Sequence, residues 1–246
     1  MKLFLIAISF LTIIPVSRNL DYKKGDLGRS AVWFPFIGVL IGGIAALTFW
    51  LTSLVLSDLL AAFLSVLIWI FLTGGLHLDG LGDCCDALLS SLSRERRLEI
   101  LKDPRMGAFG TLGLILAVIF KVLLLADLVS FKGFLLIPFA AGMARWIVIL
   151  LAKTSPPNED GLSNDFSSRI QVGAMLIALL PLVSLTIFIP WPALAGSILA
   201  LLGLIVIRQA ALKTLELING DVMGLVIEVS ELLILFAGYI ALQIIN

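Results

Sequence analysis

Apolar segments of nearly membrane-spanning length recur along the whole chain, and this repetition constrains the fold more than any other feature. A helix needs roughly 20 apolar residues to cross a bilayer core, where every backbone polar group must be satisfied within the segment. The chain is 60% hydrophobic with a mean hydropathy of +1.13, which excludes an ordinary soluble domain. The sequence therefore predicts an all-α, polytopic membrane bundle of about seven spans. They are placed at 31–56, 59–75, 108–126, 134–151, 171–189, 191–207 and 224–244.

The N-terminal segment is too short to be counted among these spans. Its apolar run has roughly 14 residues, fewer than the ~20 that a span needs, so we expect a short apolar helix. Whether this helix crosses the membrane stays open. No small-residue cleavage pattern follows, and we expect the segment to be retained. Residues 1–246 show no second domain and are predicted to form one membrane-embedded domain.

Lysine and arginine residues lie mostly on one side of the predicted bundle. Thirteen of the seventeen fall between the N-terminal apolar segment and the first long span or in 76–107, 152–170 and 208–223, whereas the opposite connections hold only Lys132. Basic loops stay in the cytoplasm, so the first set is predicted to face it. Lys121 and Arg145 are exceptions because they lie within apolar segments. The formal net charge is zero, which predicts no nucleic-acid partner.

One polar stretch, from Gly74 to Ser90, interrupts the apolar pattern. Asp79, Asp83 and Asp86 are separated by four and then three residues, which stacks three carboxylates on one face of an α-helix. Acids so close repel one another unless cations neutralise them, and their oxygens suit Mg²⁺, which in turn binds phosphate. The sequence predicts a magnesium and phosphate site at a membrane edge. The alternative is a solvated loop with acids at a helix N-terminus, where the macrodipole favours them.

A second acidic set lies about 140 residues downstream. Asp221 and Glu228 are seven residues apart and Glu231 follows, so all three share one face of the last apolar segment. A carboxylate inside an apolar helix is costly, which makes a functional role the default expectation; a structural hydrogen-bonding role is the alternative. We predict that the two acidic sets converge on one metal site. Its ligands would be Asp79, Asp83, Asp86, Asp221 and Glu228.

Basic residues and one histidine complete the candidate site. Lys102 and Arg105 adjoin a glycine-containing turn, and arginine can fork onto phosphate, so both are predicted to bind substrate. Arg145 needs an acidic partner or an anionic ligand and is a third substrate-binding candidate. His77 is the only histidine, and a lone histidine is more often a hydrogen-bonding residue than a catalyst. The catalytic candidates are Asp79, Asp83 and His77, with one carboxylate or the histidine acting as the general base.

These motifs resemble those of the cobalamin synthase family, adenosylcobinamide-GDP ribazoletransferase. The family signature is similar to Gly75-Leu76-His77-Leu78-Asp79-Gly80-Leu81-x-Asp83-x-x-Asp86. Further family-like runs are Phe10–Val16, Phe34-Pro35-x-x-Gly38, Leu98–Gly110 and Gly220-Asp221-x-x-Gly224 followed by Glu228. The chain departs from the pattern at Asn219, where the family usually has threonine, and at Gly82 and Ala87 in the first motif. These departures bear on the positioning of substrate and leave every carboxylate in place.

The resemblance implies a Mg²⁺-dependent enzyme of the bacterial or archaeal inner membrane. Its partners would be adenosylcobinamide-GDP, α-ribazole or its 5′-phosphate, and the lipid bilayer; a homo-oligomer is compatible with the sequence. The ribose 3′-hydroxyl of α-ribazole displaces GMP from adenosylcobinamide-GDP in the family reaction, which gives adenosylcobalamin or its 5′-phosphate. Which carboxylate acts as base and which binds metal stays open.

Two other functions are weighed against this one. A CDP-alcohol phosphotransferase of phospholipid synthesis shares acid-rich metal chemistry, but its Asp-Gly-x-x-Ala-Arg pattern does not occur here. An ion-coupled transporter would use the intramembrane Glu228, Glu231 and Arg145. Transport does not explain a cluster of metal-suited acids beside a cytoplasmic loop.

Overall fold

The computed structural model describes residues 1–16, 21, 23–156, 166 and 169–245. Every regular element in those ranges is helical, which confirms the all-α prediction. In chain order the helices are α1 Lys2–Leu11, α2 Asp26–Ser30, α3 Phe34–Ser53, α4 Asp58–Thr73, α5 Leu76–Leu88, α6 Arg94–Ile100, α7 Ala108–Ala126, α8 Phe131–Thr154, α9 Val172–Ile177, α10 Leu180–Thr186, α11 Pro190–Thr214 and α12 Gly220–Ile245.

Five stretches of the described chain are long and apolar enough to cross a membrane. They are α2 and α3 together with the 3-10 turn between them, then α7, α8, α11 and α12. The pair α4 and α5 would be a sixth if it is taken as one span, although its two halves are bent by 91°. The protein is therefore a multi-pass membrane protein, and the count of seven spans stays a prediction.

The continuous span predicted at 171–189 is instead two short helices, α9 and α10. Pro181 lies in the first turn of α10. Its ring has no N–H to donate and would clash with the carbonyl of Ile177 in an uninterrupted helix. The helix therefore ends at Ile177 and a new one begins at Leu180.

Two glycines turn the chain between α4 and α5. Gly74 and Gly75 have φ angles of +63° and +71°, a left-handed conformation that other residues rarely adopt. The N–H groups of both donate to carbonyls in the last turn of α4, a helix-ending arrangement in which Gly75 bonds Ile70 at 3.1 Å. The apolar helix therefore stops at Thr73, and the acid-bearing α5 leaves it at a steep angle.

Helix α8 lies at the centre of the bundle, between α3 and α12. Small residues allow the close approach: a Cβ added at Gly42 of α3 would lie 2.6 Å from the Cα of Pro138 in α8. On the other side α12 packs against α8, α11 and α5. Helix α12 contacts both the central helix α8 and α5. These contacts hold the N-terminus of α12 beside the acid-bearing helix.

Candidate active site at the α5–α12 crossing

The first three aspartates lie on one helix, as their spacing predicts. Asp79, Asp83 and Asp86 all belong to α5, which starts directly after the Gly74-Gly75 turn. The helix crosses α12 and α7. On its acidic face Asp79 is exposed, whereas Asp83 and Asp86 are half-buried.

The first turn of α12 touches α5 at a position without a side chain. A Cβ at Gly80 would lie 2.8 Å from the Asp221 carbonyl oxygen and 2.9 Å from its Cα. A Cβ at Gly224 would lie 3.1 Å from the carbonyl oxygen of His77. These two glycines let the backbones meet, which brings Asp221 to the first acid cluster across about 140 residues of sequence. The structure thus brings Asp221 to the first acid cluster, and its role as a metal ligand stays a prediction.

Asn219 holds the start of α12 in position. Its side-chain oxygen accepts from the Val222 N–H at 3.1 Å, and its side-chain N–H donates to the Asp221 carboxylate at 2.7 Å. Asparagine and threonine are both helix N-cap residues. The departure from the family pattern at this position therefore preserves the cap and adds a contact that orients Asp221.

The clustered carboxylates perturb one another. Burial raises the pKa of the Asp83 carboxyl to about 6, and the negative charges of neighbouring aspartates, Asp79 foremost, act in the same direction. Asp79, Asp221 and Asp86 all lie close enough to Asp83 to contribute. A concentration of negative charge that resists full ionisation is a site where a cation would bind favourably.

The donor chemistry fits magnesium, although the described residues contain no preformed cage. No group of three or more His, Cys, Asp or Glu side chains in that part of the chain is arranged to hold a metal ion. Magnesium, however, is usually bound through one or two carboxylates together with water and substrate phosphates. Aspartates from two helices, with room left for phosphate oxygens, match that mode of binding.

Asp86 has a different set of partners from the other acids. Its two carboxylate oxygens accept from the N–H groups of Gly107 and Gly110, at 2.7 and 2.9 Å. These amides lie at the start of α7, whose N-cap residue is Gly107 and has no side chain to cap the helix. Asp86 therefore caps α7 from α5. This role is similar to the alternative that the sequence analysis gave for these acids, a position at a helix N-terminus.

Glu228 does not join the aspartates, contrary to the prediction. Its carboxylate is 2.7 Å from Lys121 Nζ of α7, and the same Nζ is 2.6 Å from Glu231. All three side chains are buried, and the lysine lies over the ring of Trp69 with its Nζ 4.8 Å from the ring centroid. Seven residues along α12 cover about 10 Å, so Glu228 lies two turns deeper than Asp221. In this structure a lysine takes the place that the prediction gave to a metal.

Arg145 has the acidic partner that its position required. The guanidinium is fully buried and forms an ion pair with Glu231. A second guanidinium nitrogen is 3.4 Å from Nδ1 of His77, which is 4% exposed. Lys121 and Arg145 thus balance the two glutamates, and His77 at the start of α5 adjoins this network. These contacts match the acidic-partner alternative, and the substrate-binding role of Arg145 stays a prediction.

Sequence reasoning did not connect Lys121 to this network. The available signal was a lysine inside the apolar segment 108–126, because a buried charge requires a partner. Sequence periodicity shows which residues share a face of one helix. It does not show that α7 turns this face toward Glu228 and Glu231.

The predicted phosphate-binding residues lie in the turn between α6 and α7. Lys102 and Arg105 are exposed, and Arg105 donates to Asp103 at 2.7 and 2.9 Å. The turn ends at Gly107, where Asp86 attaches it to α5. Lys102 and Arg105 therefore lie in the α6–α7 connection, whose last residue is bonded to Asp86 of the acid-bearing helix.

The arginines of α6 have structural contacts that the sequence did not indicate. Arg97 donates to the Ala87 and Leu88 carbonyls at 2.7 and 3.0 Å, which satisfies the end of α5. Arg94 donates to the Leu215 carbonyl at 3.1 Å, beyond the last turn of α11. Helix α6 thus ties the end of α5 to the connection that leads into α12.

Comparison with known proteins gives a consistent result. A family model described as cobalamin-5-phosphate synthase matches residues 3–239. The chain is 32% identical over 252 residues to an adenosylcobinamide-GDP ribazoletransferase of Clostridioides difficile (strain 630), covering 98% of each chain. It is 35% identical over 246 residues to the protein of the same name from Escherichia coli (strain K12), covering 96% of this chain and 98% of the relative. No solved structure matches.

Proposed function

Because the chain belongs to the cobalamin-5-phosphate synthase family, we propose that it joins α-ribazole, or its 5′-phosphate, to adenosylcobinamide-GDP and releases GMP. The observation that supports this most directly is the meeting of Asp221 with the aspartates of α5. It supplies clustered oxygen donors where phosphate chemistry needs them. Family membership favours this reaction over a CDP-alcohol phosphotransferase. The ion-pair network of α12 also gives its glutamates a role that needs no transported ion.

The proposed reaction forms one phosphorus–oxygen bond and breaks another. The ribose 3′-hydroxyl oxygen attacks the phosphorus that stays with the cobinamide, and the bond from this phosphorus to the GMP oxygen breaks. The hydroxyl proton passes to a base, and GMP leaves with the bonding electrons. One of the clustered aspartates serves as that base. His77 is a weaker candidate, because its Nδ1 faces Arg145 within the bundle.

Three aspartates are the proposed magnesium ligands. Asp79, Asp83 and Asp221 would hold the ion together with substrate phosphate oxygens, whereas Asp86 and Glu228 are engaged by other groups. When bound, the ion would neutralise charge on the transferred phosphate and on the departing GMP. Lys102 and Arg105 would contact the pyrophosphate or the GMP, since both are exposed in the turn attached to Asp86.

The site is proposed to lie on the cytoplasmic side of a bacterial inner membrane. Arg97 of α6 contacts the end of α5, the basic turn after α6 is bonded to Asp86 at Gly107, and Arg208 and Lys213 lie toward the end of α11. Basic residues concentrate on the cytoplasmic side of membrane proteins. The nucleotide-bearing substrate would then reach the site from the compartment where GDP-linked intermediates are made.

The direct test is Mg²⁺-dependent release of GMP by the detergent-solubilised protein. Adenosylcobinamide-GDP and α-ribazole are supplied together, each alone, and together with excess chelator. We expect GMP and a corrinoid carrying the ribazole only when both substrates and Mg²⁺ are present. GMP release without ribazole would indicate a hydrolase, and no release at all would contradict the proposal.

A further inference from the structure

We propose that Asp86 is a positioning residue of the α6–α7 turn and not a metal ligand. This inference rests on the proposed function, because it concerns the same acid cluster and the basic turn beside it. Asp79, Asp83 and Asp86 look equivalent in the sequence. Their contacts divide them, since both oxygens of Asp86 are bonded to backbone amides of α7.

The first argument is the capping geometry. The N-terminal amides of a helix have no partner within the helix, and a side-chain oxygen at the N-cap position usually satisfies them. The N-cap residue here is glycine, so this side chain is missing. Asp86 supplies it from the neighbouring helix, with one oxygen to Gly107 and the other to Gly110. Its negative charge also faces the positive end of the α7 dipole.

The second argument is independent of the hydrogen bonds. A Cβ placed on Gly107 would collide with the Asp86 carboxyl group, whose atoms are the three nearest to it. A Cβ on Gly110 would collide with the same carboxylate and with the Met106 sulfur. The backbone of Gly107 has φ −88° and ψ −174°, angles that any residue can adopt. A glycine is therefore needed there for the space that Asp86 occupies, not for backbone freedom.

The consequence concerns Lys102 and Arg105. Both precede Gly107 by a few residues in a turn that is otherwise largely exposed. Asp86 fixes the end of this turn to α5, the helix that carries Asp79 and Asp83. The geometry thus couples the position of the basic side chains to that of the acid cluster. Loss of Asp86 would loosen the basic turn while leaving Asp79, Asp83 and Asp221 in place.

Amide exchange tests the cap without reference to activity. Hydrogen–deuterium exchange of a peptide covering Gly107 and Gly110 is measured in the full-length protein. We expect Asp86→Ala to speed exchange there by about five- to tenfold, the size of a lost helix cap. Gly107→Ala should have the same effect, because it displaces the carboxylate. Gly43→Ala, at a helical glycine with nothing within 4 Å of the added Cβ, is the matched control and should leave this exchange unchanged. Unchanged exchange in Asp86→Ala would overturn the proposal.

Metal-binding measurements distinguish a positioning role of Asp86 from a role as a metal ligand. Mn²⁺ replaces Mg²⁺ as a spectroscopic probe, and its binding is followed by electron paramagnetic resonance with GMP present. Asp86→Ala should bind Mn²⁺ within about threefold of the unmodified protein, whereas Asp79→Asn should lose at least about tenfold. Equal losses in the two variants would make Asp86 a ligand and overturn the proposal. If the unmodified protein bound no Mn²⁺, the proposed function would fail, and the exchange experiment would still decide the role of Asp86.

Discussion

The buried network of Lys121, Glu228, Glu231 and Arg145 should stabilise the bundle only as a charge-balanced set. Lys121 is the cation in contact with Glu228 among the described residues, whereas Glu231 also pairs with Arg145. Lys121→Met keeps most of the side chain that lies over Trp69 but leaves Glu228 buried without a cation in contact. Removing one partner of a buried ion pair typically costs about 3–5 kcal/mol, because the remaining charge has lost its compensation.

The double variant Lys121→Met/Glu228→Gln restores the balance, since Arg145 and Glu231 remain paired. Replacement of a whole buried pair is often close to neutral, so the double variant should be more stable than Lys121→Met alone. For a chain of this length 1 kcal/mol corresponds to about 2–4 °C in melting temperature. The single substitution should therefore lower the melting temperature by about 6–20 °C, and the second should recover most of that loss.

Thermal unfolding of the detergent-solubilised protein measures both effects, with Lys213→Met as a control for an exposed lysine. A loss below about 1 kcal/mol in Lys121→Met, the range of a surface pair, would refute the reasoning. So would a double variant no more stable than the single one. The double variant also tests the assignment of Glu228. It should keep the Mg²⁺ dependence of GMP release, which a metal ligand would not allow.

Three further outcomes are expected from the site and its orientation. Asp79→Asn and Asp83→Asn should each abolish GMP release while the protein stays folded in the membrane, as circular dichroism and thermal unfolding would show; near-normal turnover at limiting Mg²⁺ would remove them from the metal site. Arg105→Ala should raise the KM for adenosylcobinamide-GDP by about tenfold, the loss of one charge-assisted contact, with little change in melting temperature; an unchanged KM would exclude the contact. In a background without the native cysteines, Ser93→Cys should be labelled only from the cytoplasmic side of sealed vesicles and Ser57→Cys only from the other side, and the reverse result would invert the topology.

Much of the fold follows from patterns within single helices. Apolar length predicts the spans, and the spacing of Asp79 and Asp83 correctly predicts one acidic helical face beside a membrane segment. The break at Pro181 could also have been expected from the sequence, since proline interrupts the hydrogen bonds of a helix interior. These features are local, so no knowledge of the neighbouring helices is needed to find them.

The division of the acids is not local, and spacing alone could not give it. Asp221 and Glu228 share one face of α12, but the helix passes two different neighbours along its length. Asp221 meets α5 at Gly80, whereas Glu228 meets Lys121 of α7. In the same way, Asp86 shares a face with Asp79 but reaches the start of α7. The role of each acid depends on which groups of the adjacent helix lie beside it. Only the packing of the helices determines those groups.

The two groups of acids also differ in how their charge is balanced, and this difference argues for their separate roles. Deep in the bundle, Glu228 and Glu231 are neutralised by Lys121 and Arg145, which are part of the chain and always present. Such a network can hold α12 in register against α7 and α8 at all stages of a reaction. At the edge, no lysine or arginine among the described residues balances Asp83 or Asp221 in this way, so the repulsion of the aspartates persists until a cation arrives from solution. A metal ion that binds at the α5–α12 crossing would relieve this repulsion, and it would do so where the phosphate-bearing substrate is proposed to react.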